Sequence, residues 1–240
     1  MGETKLTFER YEKKYLLSRG QYEALRRALE GRIVPDRYFK STVCSLYYDT
    51  DDFALIRRSI EAPVYKEKLR VRSYNVPDGD GEVFVELKKK YRGMVYKRRI
   101  VMRAREAAAY LAGEAPPPER SQMTRELDWF LRSNRVAPKV LIACDRTAWV
   151  AKDNGELRIT FDENLRWRTD ALDLTRGSAG EPLLPPGEVL MEIKMPGASP
   201  MWLARLLSDQ AIFPRGFSKY GTCYQNEILN DYFNGVIKSV

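Results

Sequence analysis

The chain has 240 residues, 44% hydrophobic and 31% charged, with 41 Lys and Arg against 33 Asp and Glu for a formal net charge of +8. This composition excludes a disordered chain and favours an anionic partner over a cationic one. Histidine is absent, which excludes a Ser-His-Asp triad, a Cys-His dyad, a His-ligated metal and a phosphohistidine intermediate, and leaves chemistry to carboxylates, Lys, Arg, Tyr and an oxygen-bound metal.

In chain order, residues 6–17 alternate as a strand, and Ser18 predicts the N-cap of a helix through Tyr22, Leu25 and Leu29 that stops near Gly31. Residues 43–49 read as a strand, followed by a short helix from Thr50 or Asp51 to about Ile60. Asp49, Asp51 and Asp52 are expected to cap that helix, because a calcium loop would need a Gly and a distal Glu that are missing. Tyr65–Tyr74, Glu82–Tyr91 and Met94–Arg103 predict an antiparallel meander, joined at Pro77-Asp78-Gly79-Asp80-Gly81 and at Arg92-Gly93. Residues 105–111 predict a short helix, and after Pro116-Pro117-Pro118 a second opens at Ser121 and Thr124 with Leu127, Phe130 and Leu131 on its apolar face. Trp129 and Trp202, both in helices, read as core. Strands at 139–150 and 157–161 flank the turn Asp153-Asn154-Gly155, and residues 169–186 form a Gly- and Pro-rich loop. A last strand at 188–195, a helix from Ser199-Pro200 to about Ser208 and a final helix at 220–233 complete the chain. With no repeat and no visible boundary, the expectation is one α+β domain over residues 1–240.

The N-terminus is charged from its first residues and lacks an apolar signal core, and no apolar run is long enough for a bilayer. A cytoplasmic protein is expected; Leu6 stands where a myristoylation signal needs Ser or Thr. Cys44, Cys144 and Cys223 are odd in number and far apart, which suits reduced core thiols.

Charge in the strands follows an unusual pattern. Arg10, Glu12 and Lys14 share one face of their strand; Lys68, Arg70 and Arg72 share another, as do Glu86 and Lys88, Lys97 and Arg99, Arg158, Thr160 and Asp162, and Glu192 and Lys194. Any one such strand reads as a solvated outer face. Six together, dominated by Arg and Lys with isolated carboxylates, call for a bound anion. If the strands curl into a closed or nearly closed barrel, these faces line a lumen that a phosphate chain with a divalent cation would neutralise. Lys88-Lys89-Lys90 and Lys97-Arg98-Arg99 could pass for nuclear-localisation or heparin patches, but at strand spacing half of each is a solvated face.

Taken in order, Arg10-x-Glu12-x-Lys14-Tyr15, Tyr48-Asp49-Thr50, Lys68-x-Arg70-x-Arg72, Glu86-x-Lys88, Asp145-Arg146-Thr147-Ala148, Arg158-x-Thr160-x-Asp162, Glu192-x-Lys194 and Phe217-Ser218-Lys219-Tyr220 resemble the VTC domain. That domain is the polyphosphate polymerase module of the vacuolar transporter chaperone complex, within the triphosphate tunnel metalloenzymes or CYTH superfamily. The resemblance spans roughly residues 8–226. It implies an antiparallel β-barrel, a triphosphate tunnel of about eight strands with flanking helices. It implies phosphate ligands at Lys14, Arg70, Arg72, Lys88, Arg146, Arg158 and Lys219, with Arg10, Lys68, Lys97, Arg99 and Lys194 as further residues holding nucleotide or polyphosphate. Glu192, with Glu12 and Glu86, would bind Mn2+ or Mg2+. Arg10 replaces the first Glu of the superfamily's usual Glu-x-Glu-x-Lys opening, which fits the VTC branch better than the triphosphatase or adenylate cyclase branches. The SPX sensor and transmembrane segments of the eukaryotic polymerase are not in this sequence, so membrane translocation would need a membrane protein partner.

The implied activity is transfer of the terminal phosphate of ATP, or another nucleoside triphosphate, to polyphosphate. A triphosphatase on the same fold is one alternative, with Glu12 or Glu86 as a general base. A non-catalytic polyphosphate or nucleic-acid binding module is the other. No specific nucleic acid is expected, because the Tyr and Trp residues are not gathered into one basic stripe.

Overall fold

The structure is a computed structural model that describes residues 10–61, 64–92, 94–153 and 155–230. Residues 6–9 of the expected first strand, Gly93 and Asn154 of two turns, 231–233 of the last helix and the side chain of Arg10 lie outside the described residues. The elements are β1 (Arg10–Leu17), α1 (Arg19–Ala28), β2 (Ile33–Asp49), α2 (Ala54–Ile60), β3 (Tyr65–Tyr74), β4 (Glu82–Tyr91), β5 (Met94–Arg103), α3 (Ala104–Leu111), α4 (Gln122–Asn134), β6 (Ala137–Ala151), β7 (Arg158–Arg168), β8 (Glu181–Pro182), β9 (Val189–Pro196), α5 (Met201–Asp209) and α6 (Lys219–Cys223).

Hydrogen-bonded neighbours follow the order β1-β9-β7-β6-β2-β3-β4-β5, with β8 added on β7. Every ladder of known register is antiparallel. The expected barrel of about eight strands is thus, among the described residues, nine strands in a path that ends on β1 and β5 rather than a closed ring. The extra strand is β8, a two-residue piece inside the Gly- and Pro-rich loop.

The chain forms two compact units. The first comprises residues 1–41, 144–165 and 184–217, the second 42–143, 166–183 and 218–240. In the first, Tyr15 and Leu17 of β1, Ile159 and Phe161 of β7 and Met191 and Ile193 of β9 meet Leu25 and Leu29 of α1 and Leu203 of α5 in one core. Ser18 caps α1 as expected, accepting from the Gln21 amide while the Gln21 side chain accepts from the Ser18 amide. In the second unit, Leu69 and Val71 of β3, Val85 and Leu87 of β4, Tyr110 of α3 and Phe130 of α4 form the core. Alternation then turns the charged residues of these strands to the opposite sheet face in each unit.

Several expectations shift. β2 begins ten residues before the expected strand, because Pro35 and Asp36 look like a break yet are carried within it. Trp129 is 60% exposed rather than core; Trp202 does pack against the first unit's core. The three cysteines are buried and unbridged, as expected of core thiols. Among the described residues no helix is long and apolar enough to cross a membrane.

Candidate functional site

In the second unit, the meander registers its charges across strands. Tyr47, Arg70, Glu86 and Arg99 stand in one row across β2, β3, β4 and β5. The next row holds Lys68, Lys88 and Lys97, three like charges directly opposite one another. Such pairing is destabilising unless something neutralises it. Three cations of these rows meet one carboxylate, Glu86, only 1% exposed. Arg70 Nε donates to it at 2.8 Å and Arg99 Nη2 at 2.6 Å, and Lys97 Nζ lies 2.7 Å away.

Burial alone would raise the Glu86 pKa; Arg70, Arg72 and Lys97 outweigh it and hold the carboxyl well below its usual range. Lys97 is nonetheless shifted down, by burial first and then by Arg99 and Arg70 against the pull of Glu86. Positive charge is in surplus here.

The end of the chain completes this cluster. Ser218 caps α6 and accepts from Lys68 Nζ at 3.1 Å, which sets Lys219 at the helix start. Tyr220 stacks on Tyr47 with ring centres 4.7 Å apart and donates its hydroxyl to Asp49 at 2.9 Å. Asp49, fully buried, also accepts the amides of Thr50, Leu55 and Ile56 and so caps α2, whereas Asp51, expected to share that role, pairs with Lys139 and Asp52 with Arg57. Arg72 donates to Ser45 at 3.3 Å. Tyr47 was not among the expected residues. Burial would raise its pKa, but Arg70, Arg72 and Lys219 together bring it below the ordinary phenol value. Its signal in the sequence is its parity: Ser45, Tyr47 and Asp49 alternate along β2.

In the first unit carboxylates are set among the cations. Glu12 lies opposite Lys194, and Lys194 opposite Arg158; Lys14 lies opposite Glu192, and Glu192 opposite Thr160. Lys14 Nζ is 3.4 Å from Glu12 and 4.0 Å from Glu192, and donates to the Phe217 carbonyl at 3.0 Å. Lys194 stands 3.9 Å from Glu12 and 4.0 Å from Glu192. Arg146 grips Asp162 with both fork nitrogens at 2.6 Å, and reaches Glu192 at 3.8 Å. Burial opposes the Arg146 charge, but Asp162 and Glu192 more than offset it and raise its pKa. Arg158 turns to Asp36 at 3.8 Å. Asp162 was visible in its motif but not read as the partner of Arg146.

For a divalent cation the donors are limited. No group of three or more Cys, Asp or Glu side chains is gathered for a metal among the described residues. Glu192 and Glu12 nevertheless suit Mg2+ or Mn2+, which take one or two protein carboxylates and complete their shell with water and substrate phosphates. The Thr160 hydroxyl opposite Glu192 is buried without a hydrogen-bond partner, as a second oxygen donor there would be. Glu86, by contrast, is engaged by three cations and is built to hold them.

Against known families, the VTC domain model matches residues 9–227. The chain belongs to the VTC domain family. Among solved structures, the VTC chain shares its fold with a candidate adenylate cyclase from Bacillus halodurans, with TM-score 0.53, 16% identity and coverage of 92% of this chain and 96% of the other. A candidate adenylate cyclase from Vibrio parahaemolyticus matches with TM-score 0.45 and 13% identity over 90% and 97% of the two chains. A protein from Pyrococcus horikoshii OT3 matches with TM-score 0.46 and 12% identity over 93% and 99%. No curated protein matches this VTC chain.

Proposed function

We propose that residues 1–240 form one VTC module that transfers the terminal phosphoryl group of ATP, or another nucleoside triphosphate, onto a polyphosphate chain. Family membership and the fold shared with a candidate adenylate cyclase support an enzyme acting on triphosphates. The observation that carries the finer reading is the row Lys68, Lys88 and Lys97, followed on the same face by the pair Lys66 and Lys90. Rows on one sheet face repeat every ~7 Å. Arg72, Arg70, Lys68 and Lys66 of β3 thus make a cationic track of about 20 Å, suited to an extended anion rather than to a single triphosphate.

In the reaction, a terminal oxygen of the polyphosphate attacks the γ-phosphorus. The bond from that phosphorus to the bridging oxygen breaks, and the nucleoside diphosphate leaves with the oxygen and its electron pair. Such transfer needs in-line placement and stabilised equatorial oxygens, not a protein nucleophile, so the absence of histidine costs nothing. Arg70, Arg72, Arg99, Lys68, Lys88, Lys97 and Lys219 take phosphate oxygens in the second unit; Lys14, Arg146, Arg158 and Lys194 do so in the first. Arg forks give direction and Lys ammoniums give charge. Glu86 positions its three cations and takes no part in metal binding. Glu192 and Glu12 would hold Mg2+ or Mn2+, whose chemistry is neutralisation of phosphate charge.

The test is incubation with ATP and Mn2+, with products resolved on a gel stained for polyphosphate and free phosphate assayed in parallel. Long chains, lost in Lys219→Ala, are the expected result. Free phosphate without chains would make the protein a triphosphatase, and neither product would leave a binding module.

A further inference from the structure

The β3–β5 meander keeps its phosphate-type rows near the middle of the strands, and its far end has another chemistry. Register places Tyr65, Tyr91 and Met94 in one row on the face that carries Leu69 and Leu87. The adjacent row, on the opposite face, is Lys66, Lys90 and Val95. Tyr96 sits opposite Lys89, whose Nζ lies 6.0 Å over the exposed ring of Trp129. Val64 adjoins this end, where Met94 is 58% exposed. These seven side chains are close to half of the fifteen large hydrophobic residues exposed in the described structure, so the patch is concentrated rather than scattered.

A basic girdle lies just behind it. Lys66, Lys89, Lys90, Arg92 and Arg98 outnumber the nearby acids Glu67 and Glu126, and each acid already pairs with one of them, Lys89 to Glu67 at 3.6 Å and Arg98 to Glu126 at 3.5 Å. Three cations are therefore left over for an external anion.

We propose that this end of the meander inserts into the interface of a bilayer carrying anionic lipids. Apolar side chains stand on both faces of the ladder, Met94 on one and Val95 on the other. A protein partner docking on the sheet would cover one face, whereas a bilayer surrounds an inserted strand end. Tyr and Trp at headgroup level, with Lys and Arg stems reaching back to lipid phosphates, form the usual composition of a membrane interface. The attachment is peripheral, and its apolar residues lie outside the proposed phosphate track, which shares only Lys66 and Lys90 with the girdle.

The test uses the full chain with protein-free vesicles of phosphatidylcholine, alone or with phosphatidylglycerol, separated by sedimentation. Binding is expected to the anionic vesicles and not to the neutral ones. Met94→Ser combined with Tyr96→Ser should weaken it at least tenfold while leaving the melting temperature unchanged. Lys90→Gln and Arg92→Gln should each weaken it about fivefold. Brominated lipid should quench tryptophan fluorescence in the native chain and not in Trp129→Phe. Failure to sediment with anionic vesicles would overturn the proposal and leave the end of the meander to a protein partner. Binding that survives Met94→Ser with Tyr96→Ser but is displaced by polyphosphate would overturn it too, placing the attraction on the phosphate-type rows.

Discussion

The charged rows of the two units are built on the same strand alternation and solve opposite problems. In the β1–β9–β7 ladder, Glu12 faces Lys194 and Lys14 faces Glu192, so β1 and β9 neutralise one another. In the β3–β4–β5 ladder, Lys68, Lys88 and Lys97 stand directly opposite one another, and Arg70, Arg99 and Lys97 converge on one buried carboxylate, Glu86. The first arrangement is close to complete in itself and offers carboxylates to a cation. The second gathers cations into like-charged rows and offers them to an anion.

The comparison breaks most visibly in activity. Arg70→Ala should fold yet lose at least ~100-fold in chain synthesis, the scale on which losing one preorganised charge donor is felt; unchanged gel products would remove the β3 row from the reaction. Next comes stability in the first unit. Asp162→Asn strands the Arg146 charge in a buried position and should cost about 3–5 kcal/mol in urea unfolding, with no recovery on adding tripolyphosphate if the pair is purely structural. Acid separates the units less sharply. Because the Glu86 carboxyl titrates lower folded than unfolded, its stabilisation is present above the unfolded carboxylate range, near pH ~4.3, and is lost as pH falls below it. Glu86→Gln should flatten that part of the curve of melting temperature against pH. The smallest effect sharpens the contrast: Lys88→Gln removes one charge of the lysine row and should reduce the melting-point gain that polyphosphate gives. An unchanged gain would remove Lys88 from the anion-binding row.

Much of this was legible from alternation alone. The meander limits match the sequence reading because Gly- and Asp-rich turns bound three clean strands, and the parity of the Arg and Lys residues fixed which face they share. The identity of each opposite residue was not legible, since register depends on turn geometry and on packing of the other face. The sequence therefore listed Lys68, Lys88 and Lys97 separately without showing that they form one row. The early start of β2 was hidden by Pro35, and Tyr47 and Asp162 by the partners that give them meaning, Arg70 and Arg146. Trp129 misled because helical position predicts a face only when the helix is covered along its whole length, and α4 is not.

The buried Asp49 has one further consequence, for the order in which the protein is completed during synthesis. Its amide partners follow within seven residues, but the Tyr220 hydroxyl arrives 171 residues later. Ser218, the partner of Lys68, arrives after 150. A ribosome-bound chain that has already released all nine strands still lacks Lys219, Ser218 and the Tyr220 anchor. The lysine row exists before the group that finishes it, and synthesis itself withholds the complete site until the last helix emerges.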